Sequence, residues 1–175
     1  CLKVGTWLGA KRVIFHPGYY SKDSKDSKNE TYEKIKKEIL ELQELRKKNK
    51  YTPELAPEVM GRANVFGSYE EIAQIVNDTQ CSFCIDFAHM LAREKAYKFE
   101  EIKNKFKYKE WHVHFSGIEY GEKGEKKHIP TKESEFKELL SNLPKDKAIT
   151  IISEAPDPVK DSLLGLKILN SLTKC

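Results

Sequence analysis

The sequence predicts an α/β fold of five β-α units with parallel strands. Three observations predict it: short apolar runs recur, each is followed by a polar segment of helical period, and the two alternate along the whole chain. Such alternation implies right-handed crossovers and a parallel sheet, either open and doubly wound or part of a closed barrel. Length argues against a complete barrel. Eight units of about 35 residues need roughly 250–280, and the chain has 175.

The opening residues through Ala10 read as the end of a helix entering a strand, and Arg12-Val13-Ile14-Phe15 is the first strand. Thr31 to Lys48 follows as a helix with Ile35, Ile39, Leu42 and Leu45 on one face and its lysines and glutamates on the other. Glu54-Leu55-Ala56-Pro57-Glu58 is the second strand. Ser68-Tyr69-Glu70-Glu71 is a capping box that opens a helix through Ile72, Ile75 and Val76. Cys81 to Ile85 is the third strand, and after a polar gap comes a helix through Phe99, Ile102 and Phe106. Trp111 to Phe115 is the fourth. A Gly- and Lys-rich loop, Gly121 to His128, leads to a helix through Phe136, Leu139 and Leu140. Ala148 to Ser153 is the fifth strand, and Asp157-Pro158 starts a last helix, with proline at N1, carrying Leu163, Leu164, Ile168 and Leu172. No repeat, low-complexity linker or internal boundary interrupts residues 1–175, so one domain is expected.

With 39% hydrophobic and 33% charged residues the chain is neither a disordered tail nor a membrane protein. It has no run of about 18 apolar residues, and Cys1-Leu2-Lys3-Val4-Gly5 lacks the regions of a signal peptide. A cytoplasmic protein with no membrane partner is therefore expected. The cysteines agree: Cys1 and Cys175 stand at the ends, and Cys81 and Cys84 read as packing inside an apolar run. A net charge of +4, with only four arginines (Arg12, Arg46, Arg62, Arg93) among 31 basic residues, does not by itself announce a nucleic-acid binder.

The chemistry lies at the strand ends, which carry His16, Glu58, Asp86, His114 and Glu154. In parallel α/β architectures ligands bind at the carboxyl ends of strands, so these five side chains converge. His89 and His128 lie just beyond. A lone carboxylate at such a place is most often a cap or a surface group. Several together repel one another and are costly to bury unless a cation joins them. Imidazole and carboxylate without thiolate suit Zn²⁺, Mn²⁺ or Fe²⁺. Glu58, on a central strand, is the candidate to bridge two ions about 3.5–4 Å apart, the spacing that clamps a phosphodiester. His112 points the same way as His114 and reads as a bystander. Lys123, Lys126 and Lys127 either meet phosphates or line a solvated loop.

In sequence order, the pieces Phe15-His16-Pro17-Gly18, Pro57-Glu58-Val59-Met60-Gly61, Cys84-Ile85-Asp86-Phe87-Ala88-His89, His112-Val113-His114-Phe115, Lys127-His128 and Ile152-Ser153-Glu154-Ala155-Pro156 resemble the endonuclease IV family of apurinic/apyrimidinic endonucleases. The resemblance spans essentially the whole chain. It implies the (β/α)8 TIM-barrel family, with this sequence a partial barrel formed by the C-terminal five of eight units. It also implies zinc-dependent hydrolysis of the phosphodiester bond 5′ to abasic sites in double-stranded DNA. His16 would help hold a first zinc and Glu58 would bridge first and second. Asp86, His114 and Glu154 would complete the second, and His89 and His128 would hold a third. Glu58, Asp86 and Glu154 would be the catalytic carboxylates.

Two departures bear on the number of ions. The family's other first-zinc histidine comes from an earlier strand outside this sequence. Lys126 stands where the family has an aspartate two residues before the third-zinc histidine, and Glu125 can replace it only if the loop rearranges. Two ions, Zn²⁺ or Mn²⁺, are easier to hold than three. The related sugar isomerase and epimerase barrels hold one Mn²⁺ with a Glu, Asp, His, Glu set, which Glu58, Asp86, His114 and Glu154 also match; the further histidines favour the nuclease. A non-catalytic partial barrel is the third reading. Its exposed edge strands invite self-association, and the 175-residue chain alone is expected to be a weak or inactive nuclease.

Overall fold

In the computed structural model, residues 1–20 and 27–173 are described, so Cys175 lies outside the described residues. β-branched and aromatic runs form the strands at Arg12–Phe15, Glu110–Phe115 and Ala148–Ser153, and segments of helical period form most of the helices. The order is α1 (Leu2–Trp7), β1 (Arg12–Phe15), α2 (Ser27–Lys48), β2 (Glu54–Pro57), α3 (Tyr69–Thr79), β3 (Ile85–Asp86), α4 (Phe87–Glu94), α5 (Phe99–Lys105), β4 (Glu110–Phe115), β5 (Gly117–Gly121), β6 (Gly124–Ile129), α6 (Glu133–Asn142), β7 (Ala148–Ser153) and α7 (Pro158–Leu172).

β1 pairs in parallel with β2, β3 with β4, and β4 with β7. Between β2 and β3 the only link in the ladder, among the described residues, is the parallel bridge Glu58↔Cys84, with Val59 N donating to the Cys84 carbonyl at 3.0 Å and Cys84 N to Pro57 at 3.1 Å. The spatial order is thus β1-β2-β3-β4-β7. This is a partial barrel with the parallel strands the sequence predicts, and it does not close. Ile72, Ile75, Ile85, Phe87, Phe106, Trp111 and Phe115 are buried in the main core, and the Trp111 indole N–H is satisfied by the Phe106 carbonyl at 2.9 Å. The capping box forms: Ser68 Oγ accepts from Glu71 N at 3.2 Å, and Glu71 Oε2 accepts from Ser68 N at 2.9 Å. Asp157 caps α7 with Pro158 in its first turn.

Three elements differ from the sequence reading. The strand expected over Cys81 to Ile85 shortens to Ile85–Asp86, because the apolar signal of Phe83 comes from ring packing on Phe106 and Tyr108 (centroids 4.8 and 5.2 Å) and not from a ladder. The polar gap after it begins with a helix, α4, started by Asp86 Oδ1 accepting from His89 N at 2.7 Å. The Gly121–His128 loop is instead most of an antiparallel hairpin, β5-β6. Its turn needs a glycine: Gly124 has φ +97°, and a Cβ there would collide with the Gly61 carbonyl.

Candidate metal centre

Five parallel strands deliver the site. His16 and Glu58 follow β1 and β2, Asp86 ends β3, His114 sits one residue before the end of β4, and Glu154 follows β7. Glu58, Asp86, His89 and His114 are buried, although their chemistry opposes burial. The hairpin and α4 complete the set with His128 and His89.

His114 Nδ1 lies 2.8 Å from Glu58 Oε1 and 3.0 Å from Glu154 Oε1. His16 Nε2 lies 3.3 Å from Glu58 Oε2, and His89 Nδ1 is 3.9 Å from Glu58 Oε1 and 3.4 Å from Asp86 Oδ2. His128 Nε2 faces Glu154 Oε2 at 3.6 Å. All seven sequence-derived residues are therefore in one connected cluster. Among the described residues three sets can each bring ligand atoms within 4.8 Å of one another: Glu58, Asp86, His114 and Glu154; Asp86, His89, His128 and Glu154; and Cys84, His112 and His114. β2 is not central, as the sequence reading had it; β3 is. Glu58 nonetheless touches three imidazoles, because its side chain reaches inward from the β2–β3 junction.

The electrostatics are those of charges forced together. Burial raises the Glu58 pKa, but hydrogen bonds with His114 and His16 outweigh it and hold the carboxyl at about 2. Burial lowers His114, and its hydrogen bonds with Cys84, Glu154 and Glu58 overcome that and push it up to about 12. Burial raises Asp86. His16 is raised by its hydrogen bond with Glu58. Burial lowers His89, but Asp86, Glu58 and Glu125 win and raise it. His112, its ring 5.2 Å from that of His114, is lowered to about 4 by burial.

The donor set fits a divalent ion. Asp86 Oδ2 is fully buried without a hydrogen-bond partner, while its other oxygen caps α4. A buried carboxylate oxygen left in that state is stabilised by a cation. Two imidazoles are also oriented as ligating histidines are, with the second nitrogen tied back: His89 Nδ1 donates to the Val59 carbonyl at 3.0 Å, and His128 Nδ1 meets Ser116 Oγ at 2.6 Å. Cys81 and Cys84 are buried free thiols, Cys84 being raised to about 12 by burial. Spacing did not reveal Ser116 or the Val59 carbonyl, and it set Glu125 aside; the Gly121 and Gly124 pair flanking a two-residue turn was the available hairpin signal.

The model of the xylose isomerase-like TIM barrel family matches residues 1–172. An uncharacterized protein of Methanocaldococcus jannaschii, MJ0133, is 34% identical over 177 aligned residues, covering 93% of this chain; the chain spans 64% of that relative's length. Among solved structures, SacUVDE aligns with a TM-score of 0.71 at 18% identity, over 99% of this chain and 56% of its own. A D-tagatose 3-epimerase-like protein aligns at 0.67 and 20% identity, over 98% and 68%. A xylose isomerase domain protein from Planctomyces limnophilus gives 0.57 at 14%, over 99% and 62%. Likeness at these identities speaks for the fold. Among the described residues no helix is long and apolar enough to cross a membrane.

Proposed function

The chain belongs to the xylose isomerase-like TIM barrel family, and on that premise we propose that it is a divalent-metal-dependent hydrolase of the phosphodiester bond 5′ to abasic sites in double-stranded DNA. The family includes endonuclease IV-like enzymes and sugar epimerases, and its members are metal-dependent. The observation that carries the nuclease reading is the surplus of imidazoles. Glu58, Asp86, His114 and Glu154 suffice for one ion, yet His16, His89 and His128 stand in the same cluster.

Zinc or manganese bound there would supply Lewis-acid polarisation of phosphoryl oxygen and of water. The chain's own residues do the rest. Glu58 joins the His16 side of the cluster to the His114 side. Asp86 is locked by its cap to α4. Glu154, whose side chain is 33% exposed, is the most solvent-accessible of the four ligands, its Oε1 toward His114 and its Oε2 toward His128. Lys126 and Lys127, exposed on the hairpin beside His128, offer positive charge to a DNA backbone. This reading also places the protein in the cytoplasm with its DNA, and has the open edges of β1 and β7 pairing with a second copy.

The epimerase reading has one observation behind it: the four-ligand set is sufficient alone. The test assays the chain, alone and completed to eight barrel units, with Zn²⁺ or Mn²⁺ on a duplex carrying one abasic site and on a panel of ketoses. Incision without sugar turnover is expected, strong only in the completed barrel; sugar turnover without incision overturns the proposal.

A further inference from the structure

Next to the carboxylate cluster stands a second group of donors that the nuclease reading does not use. Side chains two apart on a strand share a face. Cys84, bridged to Glu58 just ahead of β3, is therefore turned the same way as Asp86, and His112 the same way as His114. The register Ile85↔Val113 and Asp86↔His114, carried one step back, sets Cys84 beside His112. Both lie nearer the start of the strands than the ligands at the strand ends. Ligand atoms of Cys84, His112 and His114 come within 4.8 Å of one another. Spacing alone reads Cys84 as packing and His112 as a bystander.

We propose that Cys84, His112 and His114 form a separate metal site, one layer deeper in the barrel, for a thiophilic ion, Zn²⁺ or Cu⁺. His114 Nδ1 faces Glu58 and Glu154 at 2.8 and 3.0 Å, so Nε2 is the donor atom of that ring left to the inner group. The half-buried His112 ring makes no hydrogen bond among the described residues; it stands edge-on to His114, with centroids 5.2 Å apart and planes at 67°. Cys84 is fully buried and is a free thiol. Packing asks only for a small apolar side chain there, and gives no reason for two imidazoles to gather at the sulfur.

The inner group differs in chemistry from the outer one. Glu58, Asp86 and Glu154 present oxygen, whereas a thiolate with two imidazoles selects softer ions. Three protein donors also leave one tetrahedral position open. Thr150 and Ile152, which pair with His112 and His114 from β7, are exposed, so an ion can reach the group from that side. Its binding forms a metal-sulfur bond and releases the Cys84 thiol proton to solvent. A neutral imidazole carries one N–H. With the inner ion on Nε2, the His114 Nδ1–H still donates to the carboxylates, but with ions on both nitrogens the last ring proton must leave as well. The two sites therefore compete for His114.

This inference goes beyond the nuclease reading and shares only His114 with the first site. The 175-residue chain is stripped with chelator under reducing conditions and titrated anaerobically with Co²⁺ as a spectroscopic substitute for Zn²⁺. Sulfur-to-cobalt charge transfer in the near ultraviolet reports a metal-thiolate bond, and visible d–d absorption reports any bound Co²⁺. The charge-transfer band is expected in the parent, in Cys81→Ala, which removes the other buried thiol, and in Glu58→Gln, which disables the carboxylate site. It is expected to vanish in Cys84→Ser and to need about tenfold more Co²⁺ in His112→Ala, a variant that leaves the buried thiol untouched. Cys1 and Cys175 remain in every variant, so they cannot account for a band that Cys84→Ser abolishes. Circular dichroism checks that each variant folds. A band that survives Cys84→Ser, or an affinity unchanged in His112→Ala, overturns the inner site. Co²⁺ bound by the parent without charge transfer overturns it too and leaves the first site standing, whereas a parent that binds no Co²⁺ overturns both.

Discussion

Replacing Glu58 with Gln preserves its size and removes the one charge shared by His16, His89 and His114. That variant should lose more metal than His16→Ala, His89→Ala or His128→Ala, measured as zinc retained after dialysis, because each histidine contributes one nitrogen and Glu58 joins two halves of the cluster. Acid-base behaviour gives a second expectation. Without an ion, the His114 pKa is raised from 6.5 to about 12. The protonated ring therefore stabilises the fold fully below about pH 6.5, and that contribution is lost progressively as the pH rises toward 12. An ion competes with that proton, so metal uptake at neutral pH should release it, and the titration enthalpy should vary with the ionisation enthalpy of the buffer. Identical enthalpies in all buffers would mean the ring is already neutral. At this scale His16, Glu58, Asp86, His114 and Glu154 were legible in the sequence because a strand end needs only local apolar pattern to locate. Ser116 was not, since it meets His128 only once β5 pairs with β6.

The cap of α3 was readable for the same reason that strand ends were: Ser68 and Glu71 satisfy each other within four residues. Ser68→Ala removes the acceptor for Glu71 N and should cost about 1 kcal/mol, seen as a lower denaturation midpoint with an unchanged denaturant slope. The start of α4 was hidden. Its cap is Asp86, which strand-end position marks only as a metal ligand, whereas Oδ1 serves the helix and Oδ2 faces the cluster. Periodicity located α2 but not its depth: Ile39 is buried, while Leu42 and Leu45 on the same stripe are 37% and 49% exposed. An apolar stripe identifies the helix; the neighbours available to it decide how much is covered.

Alternation of strand and helix carried the whole architecture, from parallel pairing to the partial barrel, because few topologies accept it. Length could not show which faces lie bare. Trp7, Val159, Leu163 and Leu166 are each more than half exposed, on α1 and α7 at the two ends of the strand order. Inside that order, the ladder from β2 to β3 narrows to Glu58↔Cys84, whereas β4 and β7 pair over six residues. The cluster straddles this narrow point, with His16 and Glu58 on one side and Asp86, His114 and Glu154 on the other. An ion held across it would act as a rivet in a seam, tying two blocks that otherwise open at different free energies. Chelation should then speed hydrogen exchange at the amides of Val59 and Cys84, which bond across the seam, well before those of Val113 and Ile151, whose β4-β7 ladder needs no ion to stay shut.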